Sequence, residues 1–238
     1  MNEMTGKLYG VGIGPGDPEL ITIKGRRILG EADVIAVPKS GAEKASRALE
    51  IAGDAVGGGK EILELLFPMS HDGEVLAKSR ELASAQIRER LDKGCDVAFI
   101  TLGDPTVYST YMHVHKELER QGYATEIIPG ITSFCASAAR AGISLGENSE
   151  AIAVIPSAYE SEHLEAVLDS FENIVFMKAS RSLAALAASL ESRGLLDKSV
   201  LVTDCGMEDE RVEYDWPLLK EEKISYFSTV LVKKSGVR

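Results

Sequence analysis

Short apolar runs alternate with longer stretches of helical spacing from one end of the chain to the other. Lys7 to Ile13 reads as a first strand and Asp33 to Val37 as a second. Between them, Asp17 is placed to cap a helix that Pro18 opens, with Leu20, Ile21, Ile23, Ile28 and Leu29 as its apolar positions. Residues 73–93 are rich in Glu, Ala, Arg and Leu at helical spacing, and Gly94 ends the run before Val97 to Leu102 resumes as a strand. A helix over 106–121, a strand at 124–128 and a helix from Pro129-Gly130 to Gly142 follow. The second half has strands near 151–155, 173–177, 198–203 and 226–232. Strands alternating with helices in this way predict an α/β architecture with largely parallel pairing in at least part of the sheet. A chain of 238 residues suits two modest domains, with 1–142 and 143–238 meeting at Gly142.

Composition narrows the function classes. With 45% hydrophobic and 26% charged residues the chain is ordinary for a globular protein. Runs such as Val97 to Ile100 are strand-length, far short of the roughly 20 residues of a membrane span. The start of the chain lacks a basic, then apolar, signal pattern, so a cytoplasmic location is expected. Cys95, Cys135 and Cys205 match no disulfide or zinc spacing and read as small buried hydrophobes. A net charge of −11 argues against nucleic acid, whose binding rests on Lys and Arg neutralising phosphates, but leaves acidic small molecules open. Lys233, Lys234 and Arg238 form a basic tail expected to be solvated, and Glu208-Asp209-Glu210 a solvated turn.

Three Gly/Pro loops carry the chemistry. The first, Gly10 to Pro18, comes off strand one and leads into a helix. A dinucleotide fingerprint fails there, because its last glycine falls on Asp17 or, one register earlier, on Pro15. A P-loop fails too, since Lys60 is followed by Glu61 and Asp54 holds the earlier glycine position. The second loop, Thr101 to Tyr108, offers Gly103 for close approach and Asp104 either as a partner for an amine or hydroxyl or as a helix cap. The third, Pro129-Gly130-Ile131-Thr132-Ser133, presents hydroxyls and backbone N–H groups to a ligand or to its own helix. Each follows a strand, where open α/β sheets place ligands.

Together with Phe176-Met177-Lys178, these loops resemble the tetrapyrrole methylases, in which a G-x-G-P-G-D loop, a G-D-P loop and a P-G-I-[TS]-S segment border a trough between two α/β domains. Phe67-Pro68-Met69 and Gly103 through Tyr111 resemble the branch that methylates C20 of precorrin-2 or cobalt-factor II in cobalamin biosynthesis. Two other readings stay open: a sister methylase acting at another ring position, and an oxidoreductase of Rossmann type.

The resemblance implies S-adenosylmethionine as cofactor, touching Pro15, Leu102, Gly103, Asp104, Val107, Thr132, Ser133, Met177 and Gly206, mostly through backbone. It also implies an acidic tetrapyrrole substrate and a homodimer. Methyl transfer to carbon needs alignment more than a strong base. Tyr108 and Tyr111 are expected to shape the transfer site, and Asp104 to orient charge there. Lys39, Lys44, Arg47, Lys178 and Arg181 are candidates for the substrate carboxylates. His71 and Asp72 are expected to cap a loop. His113 and His115, two apart on a helix, face apart and make no metal pair.

Overall fold

The computed structural model describes residues 5–41, 46–70, 72–156, 164–219 and 223–237. The chain divides into two compact units, Met1–Thr132 and Ser133–Arg238. Ser133–Ala141, the helix that the sequence places before the handover, is counted with the second unit because it packs on that unit's sheet.

In the first unit, strands β1 (Leu8–Gly12), β2 (Val34–Lys39), β3 (Glu61–Leu66), β4 (Val97–Thr101) and β5 (Thr125–Ile128) form one sheet in the order β3-β2-β4-β1-β5, every pair parallel. Helices α1 (Ile23–Glu31), α2 (Arg47–Ala52), α3 (Gly73–Leu91) and α4 (Tyr111–Arg120) connect them. Strand periodicity sends Leu8, Val97 and Phe99 to a core shared with Ile87 and Leu91 of α3 and Val114 and Leu118 of α4. A parallel sheet covered on its faces accounts for a strand like β4, Val-Ala-Phe-Ile-Thr, that is buried at every position.

In the second unit, β6 (Ile152–Ile155), β7 (Asn173–Met177), β8 (Ser199–Thr203), β9 (Arg211–Glu213) and β10 (Ser228–Lys233) form a sheet in the order β6-β7-β10-β8-β9. β6 and β7 are parallel, and the remaining pairs are antiparallel. Ile174, Phe176, Leu201, Val230 and Val232 pack on one face with α7 (Leu183–Glu191), Leu168 of α6 (Leu164–Ser170) and Trp216. The intervening Val175, Val200 and Leu231 pack on the other with Ala138 and Phe134 of α5 (Ser133–Ala141).

Several expectations shift. Asp17 closes only a short 3-10 turn, accepting from the Glu19 N–H. The helix proper starts later, capped by the Thr22 hydroxyl, which leaves Ile23 exposed. α4 begins at Tyr111 rather than near 106, because Tyr108 adopts a left-handed backbone. Lys233 is buried, not solvated, paired with Glu147 and Glu150. Cys135 is exposed, so only Cys205 fits the expected burial fully. No helix among the described residues is long and apolar enough to cross a membrane.

Candidate functional site

The order β4-β1-β5 decides where the three loops meet. After β1 the chain builds β2 and β3 on one side, returns as β4 beside β1, and adds β5 on the other side. The carboxyl ends of three adjacent parallel strands therefore release all three loops at the crossover point of the sheet. The loops are knit by backbone. Ile13 N–H donates to the Thr101 carbonyl at 3.0 Å, and Gly103 N–H donates to the Gly14 carbonyl at 2.7 Å. A Cβ at Gly130 would lie 2.1 Å from the Gly103 oxygen, and one at Gly12 would lie 2.6 Å from the same atom. Any side chain at either position would push the loops apart, so the glycines serve the assembly of the three loops as well as any ligand.

Asp104 ties this assembly with both carboxylate oxygens. Oδ1 accepts from the Thr106 N–H at 2.8 Å and from the Thr106 hydroxyl, closing a turn. Oδ2 accepts from the Gly130 N–H at 3.0 Å, reaching the third loop. Asp104 is thus no helix cap, since α4 starts six residues beyond Thr106's predecessor and has no side-chain cap of its own. The Thr132 hydroxyl oxygen is buried without a hydrogen-bond partner among the described residues. Pro15 is buried, while Leu102, Gly103, Asp104 and Val107 are partly exposed around the junction.

The two tyrosines part company. Tyr108 is 52% exposed and holds a φ of 50°, a strained conformation for a bulky residue. Tyr111 has no exposed surface. Its ring lies on Gly10, where a Cβ would come within 2.1 Å of it, and against Phe99 at 5.4 Å between centroids. Burial raises its phenol far above the usual tyrosine range, and its hydroxyl meets His115 Nδ1 at 3.3 Å and the Glu126 carbonyl at 3.4 Å. Tyr111, expected to shape a reaction site, lies in the core and fills the space Gly10 leaves.

The second unit gathers the other expected residues at one end of its sheet. Met177 ends β7 and packs in the same cluster as Phe134, one residue beyond Ser133 on α5. The Gly206 loop after β8 is held by Glu210, whose Oε2 accepts from the Gly206 N–H at 2.6 Å and whose Oε1 accepts from Arg140 Nε of α5 at 2.6 Å. Glu210 is therefore not part of a solvated turn. Although burial works against its charged form, the Arg140 guanidinium and the Gly206 N–H keep its carboxyl below the usual range. Burial pushes the neighbouring Cys205 thiol up to about 11, which makes it a poor nucleophile. Nothing in the sequence marked the Arg140–Glu210 clamp, whose partners lie far apart along the chain.

Among the expected cations, Lys39 pairs with Glu64 and Arg47 with Glu50. Arg181 is also engaged. Lys178, directly after β7, has its ammonium 5.8 Å from the centre of the Tyr226 ring. Lys44 and His71 lie outside the described residues. Asp72 caps α3, accepting from the Glu74 and Val75 N–H groups. Among the described residues no group of three or more His, Cys, Asp and Glu could hold a metal ion.

A family model described as tetrapyrrole (corrin/porphyrin) methylases matches residues 7–218. The chain is 41% identical over 213 residues to a probable cobalt-precorrin-2 C(20)-methyltransferase of Methanocaldococcus jannaschii, covering 89% of this chain and 88% of that one. It is 37% identical over 238 residues to the cobalt-precorrin-2 C(20)-methyltransferase of Salmonella typhimurium, covering 97% and 98%. Its fold is similar to that of a uroporphyrin-III C-methyltransferase from Thermus thermophilus solved with S-adenosyl homocysteine, with a TM-score of 0.69 at 22% identity over 96% and 98% of the chains.

Proposed function

This chain belongs to the tetrapyrrole (corrin/porphyrin) methylases, and from that premise we propose that it methylates C20 of cobalt-precorrin-2 in cobalamin biosynthesis, with S-adenosylmethionine as donor. One observation carries the reading: near full-length likeness to two proteins so named coincides with three strand-end loops knit at the crossover of a parallel sheet.

Among the described residues the buried Thr132 hydroxyl has no hydrogen-bond partner, and it is a group that a ribose or an amino-acid moiety would satisfy. On the family resemblance, Pro15, Leu102, Gly103, Asp104, Val107, Thr132, Ser133, Met177 and Gly206 would hold the cofactor. When bound, S-adenosylmethionine supplies an electrophilic sulfonium methyl.

The protein's part is placement, which can supply about 7–11 kcal/mol of a barrier when reacting atoms are aligned. Asp104 keeps the second and third loops in register, and so acts through them rather than as a base. Tyr108, half exposed on its strained backbone, would border the acceptor carbon. The meso carbon of a reduced tetrapyrrole is already nucleophilic, so the transfer itself calls for alignment, and the meso proton that leaves afterwards needs only a weak base. A homodimer completes the reading, on family resemblance alone.

The oxidoreductase alternative loses its support, since the first loop lacks a dinucleotide fingerprint and the chain matches methylases over most of its length. The reading is tested by incubating purified protein with labelled S-adenosylmethionine and either cobalt-precorrin-2 or the metal-free ring. Transfer to the cobalt form is expected. Absence of transfer to both, in protein that binds S-adenosyl homocysteine, would overturn the assignment.

A further inference from the structure

Lys178 is an odd residue for its place. Its φ of 56° and ψ of 37° are left-handed, a region that glycine enters freely and a lysine enters only at a cost. Four described residues other than glycine share a positive φ: Tyr108, Asn148, Lys178 and Asp204. Asn tolerates it, and the Asp204 carboxylate is held by the Ser225 hydroxyl at 2.7 Å. Among the described residues Lys178 has no such local bond. A glycine would make the same turn without strain, so the turn itself does not call for the side chain.

Among the described residues the ammonium has also been left without an acid. Lys39, Arg47, Arg140 and Lys233 each pair with a glutamate, in a chain whose net charge is −11. Among the described residues Lys178 has no carboxylate partner, and its charge sits over the Tyr226 ring at 5.8 Å. A ring face holds a cation in place more weakly than a charge-assisted hydrogen bond to an anion, so Tyr226 orients the ammonium without saturating it. The turn is firm, because the Ser180 N–H donates to the Ser228 hydroxyl at 2.9 Å. Met177, the preceding residue, pairs across Thr229 of β10, which also pairs with Val202. Lys178 therefore stands at the sheet end that carries Met177 and the Gly206 loop.

Resting on the methyltransferase reading, we propose that Lys178 is a specificity residue for the tetrapyrrole, its ammonium binding one peripheral carboxylate of the ring while Tyr226 keeps it aimed. The test titrates cobalt-precorrin-2 into the full-length protein by absorbance, in parallel with S-adenosyl homocysteine by calorimetry and thermal unfolding. Lys178→Met and Lys178→Gly should each weaken tetrapyrrole binding by roughly tenfold or more, as loss of a charge-assisted hydrogen bond implies. Lys178→Arg should stay within about threefold. Affinity for S-adenosyl homocysteine should not change, and the Lys178→Gly protein should unfold no earlier than the natural one, since glycine relieves the strain.

Unchanged tetrapyrrole affinity in Lys178→Gly would overturn the proposal. So would a parallel loss of stability and of S-adenosyl homocysteine binding, which would mark Lys178 as a structural turn residue. Because binding is read without turnover, a natural protein that binds the ring yet transfers no methyl would count against the methyltransferase reading and not against Lys178.

Discussion

Replacing Asp104 with alanine removes two separate supports. The bonds from the Thr106 N–H and hydroxyl close a local turn, a loss comparable to that of a cap, about 1 kcal/mol. The bond from the Gly130 N–H at 3.0 Å is charge-assisted and partly buried, and losing it costs about 1.5 kcal/mol. If the loops must be in register for the cofactor to bind, the sum of about 2.5 kcal/mol falls on affinity, close to two decades at about 1.4 kcal/mol per decade. Calorimetric titration of S-adenosyl homocysteine into Asp104→Ala should show a loss of roughly thirtyfold to a hundredfold. Asp104→Asn keeps one acceptor and should fall between. A variant that loses about 1 kcal/mol of stability but binds S-adenosyl homocysteine normally would refute the reasoning and reduce Asp104 to a turn closer.

Tyr111 is predicted to matter for packing alone. Tyr111→Phe, which gives up the long hydrogen bonds to His115 and the Glu126 carbonyl, should keep activity within about threefold, whereas Tyr111→Ala should cost about 3–5 kcal/mol in denaturant unfolding. A well-folded Tyr111→Phe without turnover would contradict this. Glu126 supplies a pH signature. Hydrogen bonds from Lys24 and then Lys7 bring its carboxyl down to about 2. A depressed carboxylate stabilises the fold above its unfolded value of about 4.3, and the contribution fades as pH falls toward its folded value. Lys7 is 35% and Lys24 52% exposed, so solvent limits the gain to about 1 kcal/mol. Glu126→Gln should be less stable than the natural protein at neutral pH and equal to it near pH 2, as thermal melts would show. A constant difference would contradict the assignment.

What the sequence made legible followed from strong local signals. β1, β4 and β5 of the first sheet are apolar runs closed by Gly or Pro, so their ends and the loops after them could be placed without knowing the sheet order. That order, β3-β2-β4-β1-β5, is what brings the loops together, and it depends on pairings between distant segments. β3, Glu-Ile-Leu-Glu-Leu-Leu, and the six-residue α2 have no distinct period and went unassigned. Asp17 looked like a helix cap because a Pro followed it, but the chain inserts a 3-10 turn and an extended Ile21 before Thr22. Tyr111 looked functional because it follows the second loop. Its burial depends on Gly10, a residue about a hundred positions away whose missing side chain makes room for the ring. Glu210 likewise lies in an acidic run that resembles solvated surface until Arg140 and the Gly206 N–H are seen around it.

The most direct measurement is the position of the new methyl group. Cobalt-precorrin-2 treated with the protein and methyl-labelled S-adenosylmethionine should yield one product whose label resides on C20 in the NMR spectrum. A label on any other ring carbon, or an unlabelled ring recovered from protein that binds S-adenosyl homocysteine, would contradict the account.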